Sequence, residues 1–173
     1  MKVLVAFASR HGATTGIATA IAETMRGDGL EVDLLPVEQV ADVSGYDGVV
    51  LGSAVYLGHW LTPARMFVVR EAVELRQRPV WLFSSGPVGD PLQPVDFAVD
   101  VADSLRLTRA RGHQLFAGQL DRAHLAIVER VLASALRVRE GDFRDWSQVR
   151  AWATGIADEL GRESVAARLA MLA

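Results

Sequence analysis

The sequence contains no cysteine, which removes disulfides, thiolate zinc sites, iron–sulfur ligation and a cysteine nucleophile together. Any redox chemistry must then come from a bound cofactor, and a reducing cytoplasm is the expected compartment. A surplus of charge of one sign is also lacking: 18 basic against 21 acidic residues give a formal net charge of -3 and a pI near 5.8. Without a broad basic face, nucleic acid is not an expected partner. Long apolar runs are missing too. None approaches the roughly 18 residues that cross a bilayer. The short run Val3 to Ala8 after Met1-Lys2 is too brief for a signal segment, and Arg10 and His11 follow at once. The four histidines, His11, His59, His113 and His124, are dispersed without i, i+4 spacing or carboxylate company, so no metal site is expected. No Gly-x-Ser-x-Gly elbow is present to suggest a hydrolase.

What the chain does have is apolar content, 50% of its residues, arranged as short strand-like runs between helical patterns. Val3 to Ala8, Glu31 to Leu35, Gly48 to Leu51, Val80 to Ser84 and Gln114 to Ala117 read as strands bounded by turns. Helices are expected over Thr14 to Arg26, closed by Gly27 and Gly29; from Thr62-Pro63 to the Arg78-Pro79 break; and over Val95 to Leu107. The strongest periodicity is Val149, Trp152, Ala153, Ile156, Ala157 and Leu160, one face of a last helix. Asp145-Trp146 before it reads as an N-terminal cap with an anchoring aromatic. Strands alternating with helices imply a parallel sheet covered on both faces: a doubly wound, three-layer α/β domain. In such a sheet, ligands bind at the carboxyl ends of the strands, so the loops after strands one, three and four are where chemistry is expected.

The first of these loops is Ser9-Arg10-His11-Gly12-Ala13-Thr14. It offers hydroxyls, a glycine that lets the backbone approach an anion, and the free N–H groups that open a helix, which together form a phosphate cradle without a lysine. After the third strand comes Gly52-Ser53-Ala54-Val55-Tyr56-Leu57-Gly58-His59-Trp60, small residues followed by aromatics around a glycine, suited to lining a flat ring. After the fourth comes Ser84-Ser85-Gly86-Pro87-Val88-Gly89-Asp90-Pro91, a rigid turn able to clamp the other edge. One anion site and two walls on a single sheet edge are what flavin mononucleotide (FMN) requires.

The spacing Ser-x-x-Gly-x-Thr after an N-terminal strand resembles the mononucleotide loop of the flavodoxin superfamily, whose five parallel strands run in the order 2-1-3-4-5. Further residues sharpen the resemblance toward one branch, the menaquinone-dependent protoporphyrinogen oxidases: Lys2 to Val5, the loop Gly52 to His59, Ala117-Gly118-x-Leu120, and Asp145-Trp146-x-x-Val149. The resemblance implies one flavodoxin-like domain over residues 1–173 with a helical insert at about 121–143. It implies bound FMN, with phosphate on Ser9 to Thr14 and the ring system between Ser53 to His59 and Ser84 to Asp90. It also implies electron transfer from a bulky conjugated substrate to a quinone. A flavodoxin-type electron carrier between protein partners is the alternative, and a net charge of -3 offers such a carrier little steering.

The insert departs from what a membrane-docking segment would favour, because over residues 121 to 145 Arg122, Arg130, Arg137, Arg139 and Arg144 are balanced by Asp121, Glu129, Glu140, Asp142 and Asp145. Its apolar stripe, Leu125, Val128, Leu132, Ala135 and Leu136, can cover the flavin, bind a hydrophobic substrate, pair with a second subunit as a homodimer, or pack on its own domain. The expected location is cytoplasmic, either free or peripheral to the inner face of the membrane. Within the loops, Arg10 either adds charge to the phosphate or points to solvent, and Tyr56 either stacks on the flavin or anchors the fold. Trp60, Trp81, Trp146 and Trp152 read as core. Gly58 is the candidate tuner of the flavin, since a glycine peptide reorients cheaply. No catalytic side chain is named.

Overall fold

The computed structural model describes residues 1–56, 58–86, 99–120 and 141–172. Five parallel strands form the centre: β1 (Lys2–Ala8), β2 (Glu31–Pro36), β3 (Gly48–Tyr56), β5 (Val80–Ser85) and β6 (Gly112–Phe116), in the spatial order β2-β1-β3-β5-β6. Counting parallel strands alone, this is the order 2-1-3-4-5. A two-residue strand β4 (His59–Trp60) folds back antiparallel on the end of β3, pairing Val55 with Trp60 and Tyr56 with His59. Strands β7 (Gln119–Leu120) and β8 (Gly141–Asp142) make a separate antiparallel pair.

The sheet is buried on both faces because its strands alternate between two cores. Along β1, Val3, Val5 and Phe7 join Ile17, Ile21 and Met25 of α1 (Ala13–Gly27), together with Phe83, Phe116 and Val149, Ile156 and Leu160 of α5 (Trp146–Leu172). Leu4, Ala6 and Ala8 join the opposite core, where Phe67 and Val68 of α2 (Thr62–Arg70), Leu75 of α3 (Ala72–Leu75) and Val101 of α4 (Val99–Thr108) meet Trp60, Leu51 and Leu82. At about 1.5–3 kcal/mol for each fully buried large aliphatic or aromatic side chain, these two layers are the main driving force of the fold. Asp145 caps α5 as its sequence position suggests, its Oδ1 accepting from Ser147 N at 2.9 Å and Gln148 N at 3.1 Å. These bonds also hold its carboxyl below the usual range, the Ser147 hydroxyl contributing most.

Several boundaries differ from the sequence reading. Strand β3 continues to Tyr56, so Ser53 to Tyr56 are strand rather than loop; pairing with β4 on one side and β5 on the other extends it. The fifth parallel strand is Gly112–Phe116 rather than 114 to 117, and β5 includes Ser85. The second helix breaks at Glu71 into α2 and α3. Trp60 and Trp81 are buried, whereas Trp146 and Trp152 are half-buried against the core surface. Of the expected helix 95–107, residues 95–98 lie outside the described residues, as do positions 121–140 of the expected insert. Among the described residues, no helix is long and apolar enough to cross a membrane.

Candidate functional site

The register of the sheet sets the site. At its carboxyl edge Ala8 pairs with Ser53, Ala54 with Ser85, and Ser85 with Phe116. The segments leaving β1, β3, β5 and β6 therefore emerge side by side. Between them lies a cavity of about 200 Å³. The β1 loop contributes Ser9, Arg10, His11, Ala13 and Thr14 to its wall, β3 contributes Ala54, Val55 and Tyr56, and the end of β5 contributes Ser85 and Gly86. Leu61 and Gln119, which the sequence reading did not single out, complete it together with Gly118, noted there only within the Ala117-Gly118-x-Leu120 motif. A larger groove of about 560 Å³ lies between Asp28 and the outer face of α5, around Gly161 and Val165, away from these loops.

The β1 loop is shaped for an anion. Gly12 precedes α1 with φ +87°, in the left-handed region where only glycine is unstrained. Its N–H donates to Ser9 Oγ at 3.2 Å, and its carbonyl accepts the first helical bond, from Gly16 N at 3.0 Å. Space beside Gly12 is open: an added Cβ there would meet nothing within 4 Å. The first turn of α1 carries no acidic side chain to compete with a bound anion, and its leading N–H groups have no partner within the helix. Thr14 Oγ1 lies 2.7 Å from Ser85 Oγ, both buried, which fixes the start of α1 to the end of β5. The guanidinium of Arg10 stands over the Tyr56 ring at 4.6 Å, so both side chains form one wall of the cavity.

Ser53, Gly58, His59 and Ser84, also singled out in the sequence, are not among the residues lining this cavity. Ser53 is buried, its Oγ donating to Ala54 O at 2.9 Å and accepting from Leu61 N at 3.0 Å. Gly58 has φ +77° in the tight turn between β3 and β4, with open space where a Cβ would stand. His59 Nδ1 lies 3.0 Å from Asp100 Oδ2, which also accepts Trp60 N at 3.0 Å and so ties the hairpin to α4. Ser84 is buried in β5, where its Oγ accepts the Trp60 indole N–H at 2.7 Å and lies 2.8 Å from His113 Nε2. Burial lowers the pKa of His113 below its ordinary value. Leu57, Pro87, Val88, Gly89 and Asp90 lie outside the described residues.

Arg144 is a further residue that the sequence reading passed over except as one charge of the insert. It follows β8 and reaches α1, with its guanidinium 4.4 Å from the Trp146 ring centroid. It makes a forked ion pair with Asp142, Nε to Oδ1 at 2.7 Å and Nη2 to Oδ2 at 2.6 Å. The Arg144 side chain, as hydrogen-bond donor, holds the Asp142 carboxyl below the usual range.

The residues present fit FMN. An open glycine with φ +87° at an acid-free helix start suits an anion, and a hairpin carrying an aromatic and a glycine flanks the same cavity. Comparison with known proteins agrees. A sequence profile of the flavodoxin domain matches residues 4–146. Protoporphyrinogen IX dehydrogenase [quinone] of Escherichia coli (strain K12) is 30% identical over 86 residues, 49% of this chain and 48% of that protein. The chain thus spans about half the length of the curated relatives it matches. Among solved structures, a flavodoxin from the domain Archaea superposes with a TM-score of 0.67 at 14% identity, covering 93% of this chain and 99% of the other. The rubredoxin oxygen:oxidoreductase of Desulfovibrio gigas superposes with 0.63 at 16% identity, covering 93% of this chain and 36% of the other. At these identities the superpositions speak for the fold.

Proposed function

The chain belongs to the flavodoxin family, with FMN as its cofactor, and from that membership we propose that it is an FMN-dependent oxidoreductase passing electrons from a bulky conjugated substrate to a quinone. The observation that carries this reading is the meeting of the Ser9 to Thr14 cradle and the β3–β4 hairpin at one cavity. The 30% identity to protoporphyrinogen IX dehydrogenase over half the chain supports the choice of substrate class.

In this reading the backbone N–H groups of Ser9 to Thr14 and the hydroxyl of Ser9 hold the phosphate. Tyr56, the Gly58 peptide and His59 line one side of the ring, and Ser85 and Gly86 begin the other. Bound FMN supplies the electron acceptor and donor. The protein's own residues bind and orient it, and the Gly58 peptide tunes it by offering N–H or C=O to the ring. The pairing of Arg10 with Tyr56 keeps that aromatic in place at the cavity mouth. No side chain is assigned a proton-transfer step.

The test begins with a visible spectrum of the purified protein and identification of any released chromophore. Turnover of protoporphyrinogen with a quinone acceptor is the expected outcome. Single-electron exchange with a flavodoxin reductase, without such turnover, would instead make the protein a carrier.

A further inference from the structure

The first turn of α1, from Gly12 to Gly16, is closed by one backbone bond, Gly16 N to Gly12 O at 3.0 Å. The N–H groups it leaves free are those that would face an anion. Arg144 braces this turn from the far side. Its Nη1 reaches Ala13 O at 3.4 Å and occupies the space beside Gly16, where an added Cβ would lie 2.5 Å from it. The guanidinium is thus layered between the α1 backbone and the Trp146 ring, and its side chain is only 11% exposed. Two further donors, on Nε and Nη2, are engaged by the fork to Asp142. A guanidinium neutralised by its own carboxylate adds little net field, so what it brings to the turn is fixed shape.

We propose that Arg144 is a positioning residue for the phosphate of FMN: packed on Gly16 and Ala13, it holds the first turn of α1 in the form that presents the cradle's N–H groups. The proposal rests on Ser9 to Thr14 being the phosphate cradle. It has a second consequence. The segment carrying Arg144 returns from residues 121–140 through β8, so phosphate binding and the seating of that return segment favour each other.

The experiment compares FMN with riboflavin, which lacks the phosphate, by fluorescence titration of the full chain freed of flavin. R144M is expected to weaken FMN binding about tenfold while riboflavin binding stays within about twofold. G16A, which expels the guanidinium without removing its charge, should do the same, and R144K, which cannot form the fork, should not restore FMN affinity. Equal losses for both ligands, or no loss for either, overturn the proposal. Should R144M fail to fold, G16A carries the same comparison. A wild-type protein that binds FMN no better than riboflavin would overturn the cradle reading itself, and the positioning role with it.

Discussion

Ser84 Oγ lies 2.8 Å from Nε2 of His113, joining adjacent strands β5 and β6 through a side-chain bond beneath the site. The same oxygen already accepts the Trp60 indole N–H at 2.7 Å. The hydroxyl proton is thus available to Nε2, which suits a neutral imidazole. Burial depresses the folded-state pKa of His113 from 6.5, so on acidification the unfolded chain takes up this proton first. Stability attached to His113 is therefore complete above about pH 6.5 and is lost as the pH falls from there through the depressed folded value. H113Q should flatten the decline of urea-unfolding free energy between about pH 7 and 5. The lowered carboxylates Asp33, Asp42, Asp142 and Asp145 act in a separate, more acidic window below about 4. An unchanged slope in H113Q would contradict this assignment.

Gly52 sits where the Phe83 ring crosses β3, and a Cβ added there would overlap the ring atoms. G52A should cost about 3 kcal/mol, because both backbone and ring are buried and neither can yield cheaply. Combining it with F83L should recover part of that loss, a coupling visible as non-additive unfolding free energies.

The Thr14–Ser85 bond predicts a different pattern. T14V leaves the Ser85 hydroxyl buried opposite a methyl group and should cost about 1–3 kcal/mol. That corresponds to a fall in melting temperature of roughly 2–4 °C per kcal/mol for a chain of this size. T14V/S85A removes both partners and should be less destabilised than T14V alone, as thermal unfolding monitored by circular dichroism would reveal.

Gly58, with φ +77° in the hairpin, predicts a redox effect. G58V restricts the peptide that would donate to the reduced cofactor, so the midpoint potential should fall by an amount on the order of one hydrogen bond, about 1 kcal/mol. Potentials identical to wild type in a redox titration would remove Gly58 from the tuning role.

The parallel strands were legible because burial on both faces writes them as apolar runs, and the helices because α1 and α5 keep an apolar stripe of helical period. The end of β3 was not. Gly52, Ser53 and Ala54 resemble loop residues, yet Gly52 is small because Phe83 covers it and Ser53 because it is buried against Leu61 N. Strands β4, β7 and β8, two residues each, are too short to leave any period. At the site, the turn that opens α1 was legible in Gly12, because a backbone at φ +87° calls for glycine. Leu61, Gly118 and Gln119 reach the cavity only through tertiary placement. Arg144 gave one local hint, Asp142 two residues before it, but its contact with Gly16 joins distant stretches of chain that nothing local connects.

The β7–β8 ladder, Gln119 against Asp142 and Leu120 against Gly141, clips together the two ends of the stretch 121–140. With the stems fastened, lengthening or shortening the stretch between them changes the closure entropy only logarithmically. A change of length between residues 120 and 141 would therefore leave the alignment of the parallel sheet little disturbed.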